Sequence, residues 1–183
     1  MKKIVLLGDS IRLIGYGKKV AELLGESYSV WQPEDNCRFA KYTLRMLFDH
    51  KEDIMGADVI HWNNGLWDAC DIFGDGPFTT LEEYVDNMVR IAKLLQSYGK
   101  TVIFATTTPT HPDYPYHKLE RIKKYNDAVV TALRKQGVLI NDLFAAMEDH
   151  QIDGICEDQL HLNELGISIC AEQVVRSIKN ALQ

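Results

Sequence analysis

Positive charge is in short supply in this chain: 20 lysines and arginines stand against 26 aspartates and glutamates, a formal net charge of −6. A nucleic-acid partner wants a basic face. No window here combines a basic patch with interleaved aromatics, so nucleic-acid binding is not expected. Long apolar runs are also missing, and the uncharged stretches fall well short of a membrane span. Met1-Lys2-Lys3 places charge ahead of an apolar run, but Gly8-Asp9 cuts that run too early for a secretory leader. Cysteine is sparse. Cys37, Cys70, Cys156 and Cys170 are scattered with no C-x-x-C pair, which reads as free thiols in a cytoplasmic protein. No repeat, low-complexity segment or linker divides the 183 residues, so one domain over 1–183 is expected, long enough to bury a substantial core.

What the chain does have is an alternation of strand-like and helix-like segments from end to end. Ile4-Val5-Leu6-Leu7 is fully apolar and reads as a strand covered on both faces. Further strands are expected at 28–31, 57–62, 101–106 and 138–140. Between them, 17–24 and 42–48 read as helical stretches. Thr80 and Glu83 have capping-box spacing ahead of a helix whose face carries Leu81, Tyr84, Val85, Met88, Val89, Ala92 and Leu95, ended by Gly99. Another helix carries Leu119, Ile122, Val129, Val130 and Leu133, and a last one starts at Asn163, a good N-cap. Cys170 falls on the apolar face of that last helix and reads as core filler. Right-handed crossovers then give an α/β fold, a three-layer α/β/α sandwich around five parallel strands in the order 2-1-3-4-5, flavodoxin-like.

In such sheets ligands bind beyond the carboxyl ends of the strands. Ser10 stands there, in Gly8-Asp9-Ser10 after the first strand. Alone, this tripeptide reads more readily as a helix cap than as a nucleophile. Late in the chain, Asp158-Gln159-Leu160-His161 places an acid three residues before a histidine. That spacing lets the carboxylate hold Nδ1 and leaves Nε2 free as a base. His111, Asp113 and His117 cluster in a proline-broken loop without a frame for metal ligation, so neither metal nor cofactor is expected. Cys37 has a poorer context for a nucleophile than Ser10.

Gly8-Asp9-Ser10 after strand one and Asp158-x-x-His161 before the final helix together resemble the SGNH hydrolases, or GDSL-like esterases. The resemblance spans nearly the whole chain, and no G-x-S-x-G elbow of the α/β-hydrolases surrounds Ser10. It implies a carboxylic ester hydrolase with Ser10 as nucleophile, His161 as base and Asp158 as its orienting acid. A small acyl ester, an acetyl ester or an acetylated carbohydrate, is the implied substrate, without an obvious apolar lid for a lipase. The family's G-x-N-D block is represented by Gly65-Leu66-Trp67-Asp68, with tryptophan where the oxyanion asparagine belongs. The oxyanion hole is therefore expected from the Ser10 N–H, a backbone N–H near 36–38, and the amide of Asn64 or, second to it, Asn63. Asp9, Arg38 and Trp67 are candidates for substrate contact, with Tyr114, Tyr116 and His111 as further pocket residues. The rival reading is a non-catalytic carbohydrate- or ligand-binding domain whose oxyanion hole Trp67 has closed. A mononucleotide binder is disfavoured because the loop has too few phosphate-cradling groups.

Overall fold

The structure is a computed structural model describing residues 1–183. Five strands form one sheet: β1 (Lys2–Leu7), β2 (Tyr28–Trp31), β3 (Ala57–Asn63), β4 (Gly99–Ala105) and β5 (Leu139–Asn141). All pairings are parallel and the order is β2-β1-β3-β4-β5, as expected from the alternation of segments. The helices are α1 (Gly17–Leu24), α2 (Ala40–Asp49), α3 (Lys51–Ile54), α4 (Leu66–Ala69), α5 (Leu81–Tyr98), α6 (Leu119–Arg134), α7 (Leu143–Met147) and α8 (Glu164–Ala181).

Both faces of the sheet are covered, which is why β1 has no polar alternation. Successive side chains of a strand point to opposite faces. Val5 and Leu7 accordingly pack with Met46, Leu47, Met88, Ile91 and Val129 of α2, α5 and α6. Ile4 and Leu6 pack with Val20, Cys170, Val174 and Ile178 of α1 and α8. Cys170 is thus core filler, and burial pushes its thiol up to about 12.

Two caps set helix positions. Thr80 Oγ1 accepts from the Glu83 N–H at 3.3 Å, and Asn163 Oδ1 accepts from the N–H groups of Leu165 and Gly166. The reciprocal half of the expected capping box does not form, because the Glu83 carboxylate pairs with Lys41 instead. Elements without a sequence signal are short. α7 has five residues, too few to display a period, and is capped by Asp142, which accepts from the Ala145 N–H. Between Ser10 and α1 the chain makes a wide π-type turn over Ile11–Tyr16, broken at Gly15 (φ −101°, ψ −114°).

The carboxyl ends of β1 and β3 are side by side, in register through Leu7 and Trp62. Their following loops require glycine. Gly65 leaves β3 at φ +143° against Thr107, and any side chain at Gly8 would collide with Asn63. The two loops are therefore locked against each other before any chemistry is considered.

Candidate active site

Ser10 lies at the head of the π-type turn, but its hydroxyl makes no capping bond to that turn. It meets His161 instead: Nε2 is 2.9 Å from Ser10 Oγ, and Nδ1 is 2.6 Å from Asp158 Oδ2. A carboxylate only accepts, so Nδ1 carries the proton and Nε2 accepts from the serine. Asp158 also accepts from the N–H groups of Leu160 and His161, at 3.0 and 2.9 Å. Partial desolvation pushes its carboxyl up, but the His161 ring and these backbone donors outweigh it and hold it below the usual carboxylate range. The loop is shaped by Gln159 in the left-handed region (φ 65°) and by an antiparallel bridge between Ile155 and Leu162. The Gln159 carbonyl accepts from the His111 N–H, which ties this loop to the proline-rich one.

Beneath the serine is a buried polar layer that sequence reasoning misread. Asp9 is fully buried, so it does not contact substrate. Its Oδ1 accepts from the Ile11 N–H and from Asn63 Nδ2 (3.0 and 2.9 Å), and burial raises its carboxyl above the ordinary range. The other side of the Asn63 amide accepts from Tyr16 Oη at 2.9 Å. Asn63 is thus held in this buried layer and does not line the cavity on Ser10. Arg12, absent from the sequence reading, is also fully buried. Its guanidinium donates to the carbonyls of Pro33 (2.8 Å), Gly8 (3.2 Å) and Asp35 (2.8 Å). An arginine two residues after the serine, in an otherwise apolar turn, was the available signal.

The loop between β2 and α2 is fastened along its length. Cys37 N–H donates to the Gly8 carbonyl and Gly8 N–H to Cys37 Sγ (3.1 and 3.2 Å). Burial pushes the Cys37 thiol up to about 11, which suits a structural acceptor rather than a nucleophile. Asn64, the preferred oxyanion amide from sequence, is fully buried here too and does not line the cavity. Nδ2 donates to the Arg38 carbonyl at 2.9 Å and Oδ1 accepts from Thr43 Oγ1 at 3.0 Å. Asp68 accepts from the Ala40 N–H (3.0 Å) and so caps α2 from outside, and burial pushes its carboxyl up to about 6. The expected backbone donor near 36–38 is not free either. Asn36 N–H donates to Asp35 Oδ1, Cys37 N–H to Gly8, and Arg38 N–H to Asn36 Oδ1. Arg38 sits in the left-handed region (φ 48°), and its guanidinium lies over the Tyr42 ring rather than in the site.

A cavity of about 510 Å³ opens on Ser10 and His161. Its walls are largely apolar: Leu13, Ile14, Leu66, Trp67, Ile72, Phe78, Tyr114 and Leu160 among them. Asn36 and His117 add polar edges. Trp67 lines this cavity and packs edge-on against Phe39, 5.2 Å between ring centroids. The segment 69–78, which reads in sequence as a connection broken by glycine and proline, supplies Ile72 and Phe78 to the wall. It is pinned by Arg121 to Asp71 (3.0 Å). Of the aromatic candidates, Tyr114 lines the cavity, while Tyr116 and His111 do not. No cluster of histidine, cysteine and carboxylate side chains fit for a metal ion is present, and no helix is long and apolar enough to cross a membrane.

Comparison with known proteins bears on this arrangement. No family model matches the chain. The GDSL esterase/lipase CPRD49 of Arabidopsis thaliana is 32% identical over 207 aligned positions, covering 98% of this chain and 79% of that protein. The chain belongs to the GDSL esterase/lipase family. The GDSL esterase/lipase WDL1 of Oryza sativa subsp. japonica is 29% identical over 182 positions, 91% of this chain and 68% of that one. The fold agrees with a lipase/acylhydrolase from Enterococcus faecalis at a TM-score of 0.81 and 22% identity, over 98% of this chain and 96% of that one. It also agrees with the acetyl xylan esterase AlAXEase (TM-score 0.79, 18% identity, 96% of this chain and 99% of that one). This GDSL protein is accordingly a carboxylic ester hydrolase with the SGNH fold.

Proposed function

We propose that the protein is a serine esterase working through Ser10, His161 and Asp158. The observation that carries this reading is the single imidazole bridging Ser10 Oγ and the Asp158 carboxylate at 2.9 and 2.6 Å. Ser10 Oγ attacks the ester carbonyl carbon while His161 Nε2 takes its proton. The tetrahedral intermediate collapses, the imidazolium protonates the departing alcohol, and an acyl-serine remains. Water, deprotonated by the same nitrogen, then releases the acid and restores Ser10. Asp158 keeps the ring in the tautomer this cycle needs and stabilises the imidazolium.

The cavity lining supports a substrate class. Its walls offer area to an apolar group and few polar partners to a sugar ring. The reading favoured here is a short acyl ester, acetyl-sized at the acyl side, whose larger arm is apolar. A small-molecule ester fits this lining better than an acetylated carbohydrate.

The test is Ser10→Ala, assayed on a short-chain 4-nitrophenyl ester together with labelling of the wild type by a fluorophosphonate. The expected result is a fall in kcat of at least roughly 10³-fold and a probe adduct at Ser10 alone. Full activity in Ser10→Ala, or a folded wild type that takes no label, would overturn the assignment.

A further inference from the structure

Two features of the site are left over once the triad is set. The family's asparagine position is filled by Trp67, and both neighbouring amides, Asn63 and Asn64, are buried, internally hydrogen-bonded and absent from the cavity wall. The backbone donors of 36–38 are consumed as well. An oxyanion hole with only the Ser10 N–H is a poor one, since a single missing donor costs roughly 10²–10³ in kcat. On the cavity wall shared with Ser10, the side-chain N–H groups of Asn36 donate to no protein group.

We propose that Asn36 Nδ2 donates to the oxyanion formed on attack by Ser10, in place of the amide that Trp67 displaces. The proposal rests on the serine esterase reading above. Asn36 lines the same cavity as Ser10 and His161. Its orientation is fixed chemically: Arg38 N–H is a donor, 2.8 Å from the Asn36 side chain, so the atom facing it is Oδ1 and Nδ2 is turned away from the loop. Proximity to the nucleophile is built in by Arg12. One guanidinium nitrogen, Nη2, donates to both the Asp35 and the Gly8 carbonyls, at 2.8 and 3.2 Å. The segments 35–37 and 8–10 therefore run side by side, and the Cys37–Gly8 backbone bond of 3.1 Å closes the pair. Residues 33, 35, 37, 38 and 40 are each held by a buried partner, so the amide is preorganised before substrate arrives. Preorganised donors are what makes oxyanion stabilisation large.

Asn36→Ala and Asn36→Asp, compared with Ser10→Ala, test the assignment on a short-chain 4-nitrophenyl ester and a trifluoromethyl ketone inhibitor, whose hydrated or serine-bound form mimics the oxyanion. Asn36→Asp keeps the acceptor that Arg38 N–H uses and deletes the donor. Both variants are expected to lose about 10²–10³ in kcat with KM within about threefold, and to bind the ketone at least roughly tenfold more weakly. If Asn36→Ala does not fold, Asn36→Asp carries the test alone. Retained kcat in both variants overturns the proposal, as does activity in Asn36→Asp alone, which would make Asn36 only a loop fastener. The underlying esterase reading fails separately, by activity in Ser10→Ala.

Discussion

Asp68 is the carboxylate whose burial should show most clearly in stability. Its side chain is fully buried, and it holds the Ala40 N–H at the head of α2. Burial pushes its carboxyl from an ordinary 3.8 to about 6, because the charged form loses water that the few nearby donors do not replace. A folded-state value above the unfolded one means that the fold is favoured while Asp68 is protonated. That advantage is complete below pH 3.8 and is lost as pH rises through 6. That rise is worth about 3 kcal/mol. The substitution Asp68→Asn keeps one side-chain oxygen for the Ala40 N–H and removes the titration. In urea unfolding from pH 4 to pH 8, this variant should gain on the wild type by up to about 3 kcal/mol across that window. In a chain of this size that is a relative shift of roughly 6–12 °C in Tm. A stability difference between the two proteins that stays flat over pH 4–8 would refute the reasoning, because every other titrating group is common to both.

Arg12→Met should cost about 3–5 kcal/mol in urea unfolding, since it leaves three carbonyls without their donor and removes the positive charge that favours the Asp9 carboxylate. Adding Asp9→Asn should recover part of that loss, and strictly additive single and double variants would show that the two groups do not interact. On substrate choice, hexyl acetate should have a kcat/KM at least roughly tenfold above that of peracetylated xylose, because the cavity offers apolar rather than polar partners. Equal or reversed preference in a titrimetric assay would remove the apolar-arm reading.

The fold was legible because its determinants are local and periodic. The unbroken Ile4–Leu7 run announces a two-sided sheet, Thr80 and Asn163 mark helix starts through their own side chains, and Gly99 marks an end. That Ser10, Asp158 and His161 come within hydrogen-bond reach was legible for a different reason, since their order along the chain matches the pattern of a known family. The oxyanion region was not legible. Whether an asparagine is free or consumed depends on partners far along the chain: Tyr16 and Asp9 for Asn63, Thr43 and Arg38 for Asn64. Nothing within a few residues of 63–64 encodes that. Arg38 was misplaced for a similar reason, because its left-handed backbone and its stacking on Tyr42 aim its charge away from the cavity.

The tryptophan at position 67 then has a consistent physical explanation. An asparagine there would offer one amide and little wall. Trp67 offers a large apolar face to the cavity, seated on Phe39, which itself meets Phe78 at 5.6 Å between centroids. Phe39 belongs to the loop that carries Asn36. Phe39, against which both Trp67 and Phe78 pack, and the proposed oxyanion donor are thus mounted on one fastened segment, held by Arg12 from below and by Asp68 at its end. Gaining an apolar wall at 67 removes a donor from one side of Ser10. A loop already locked on the other side can supply the replacement without new ordering cost. Arg12 is therefore the residue on which both depend: loosening it should lower kcat through Asn36 and raise KM through Trp67. Loss of kcat in Arg12→Met without any change in KM would show that the wall and the donor are not coupled through this loop.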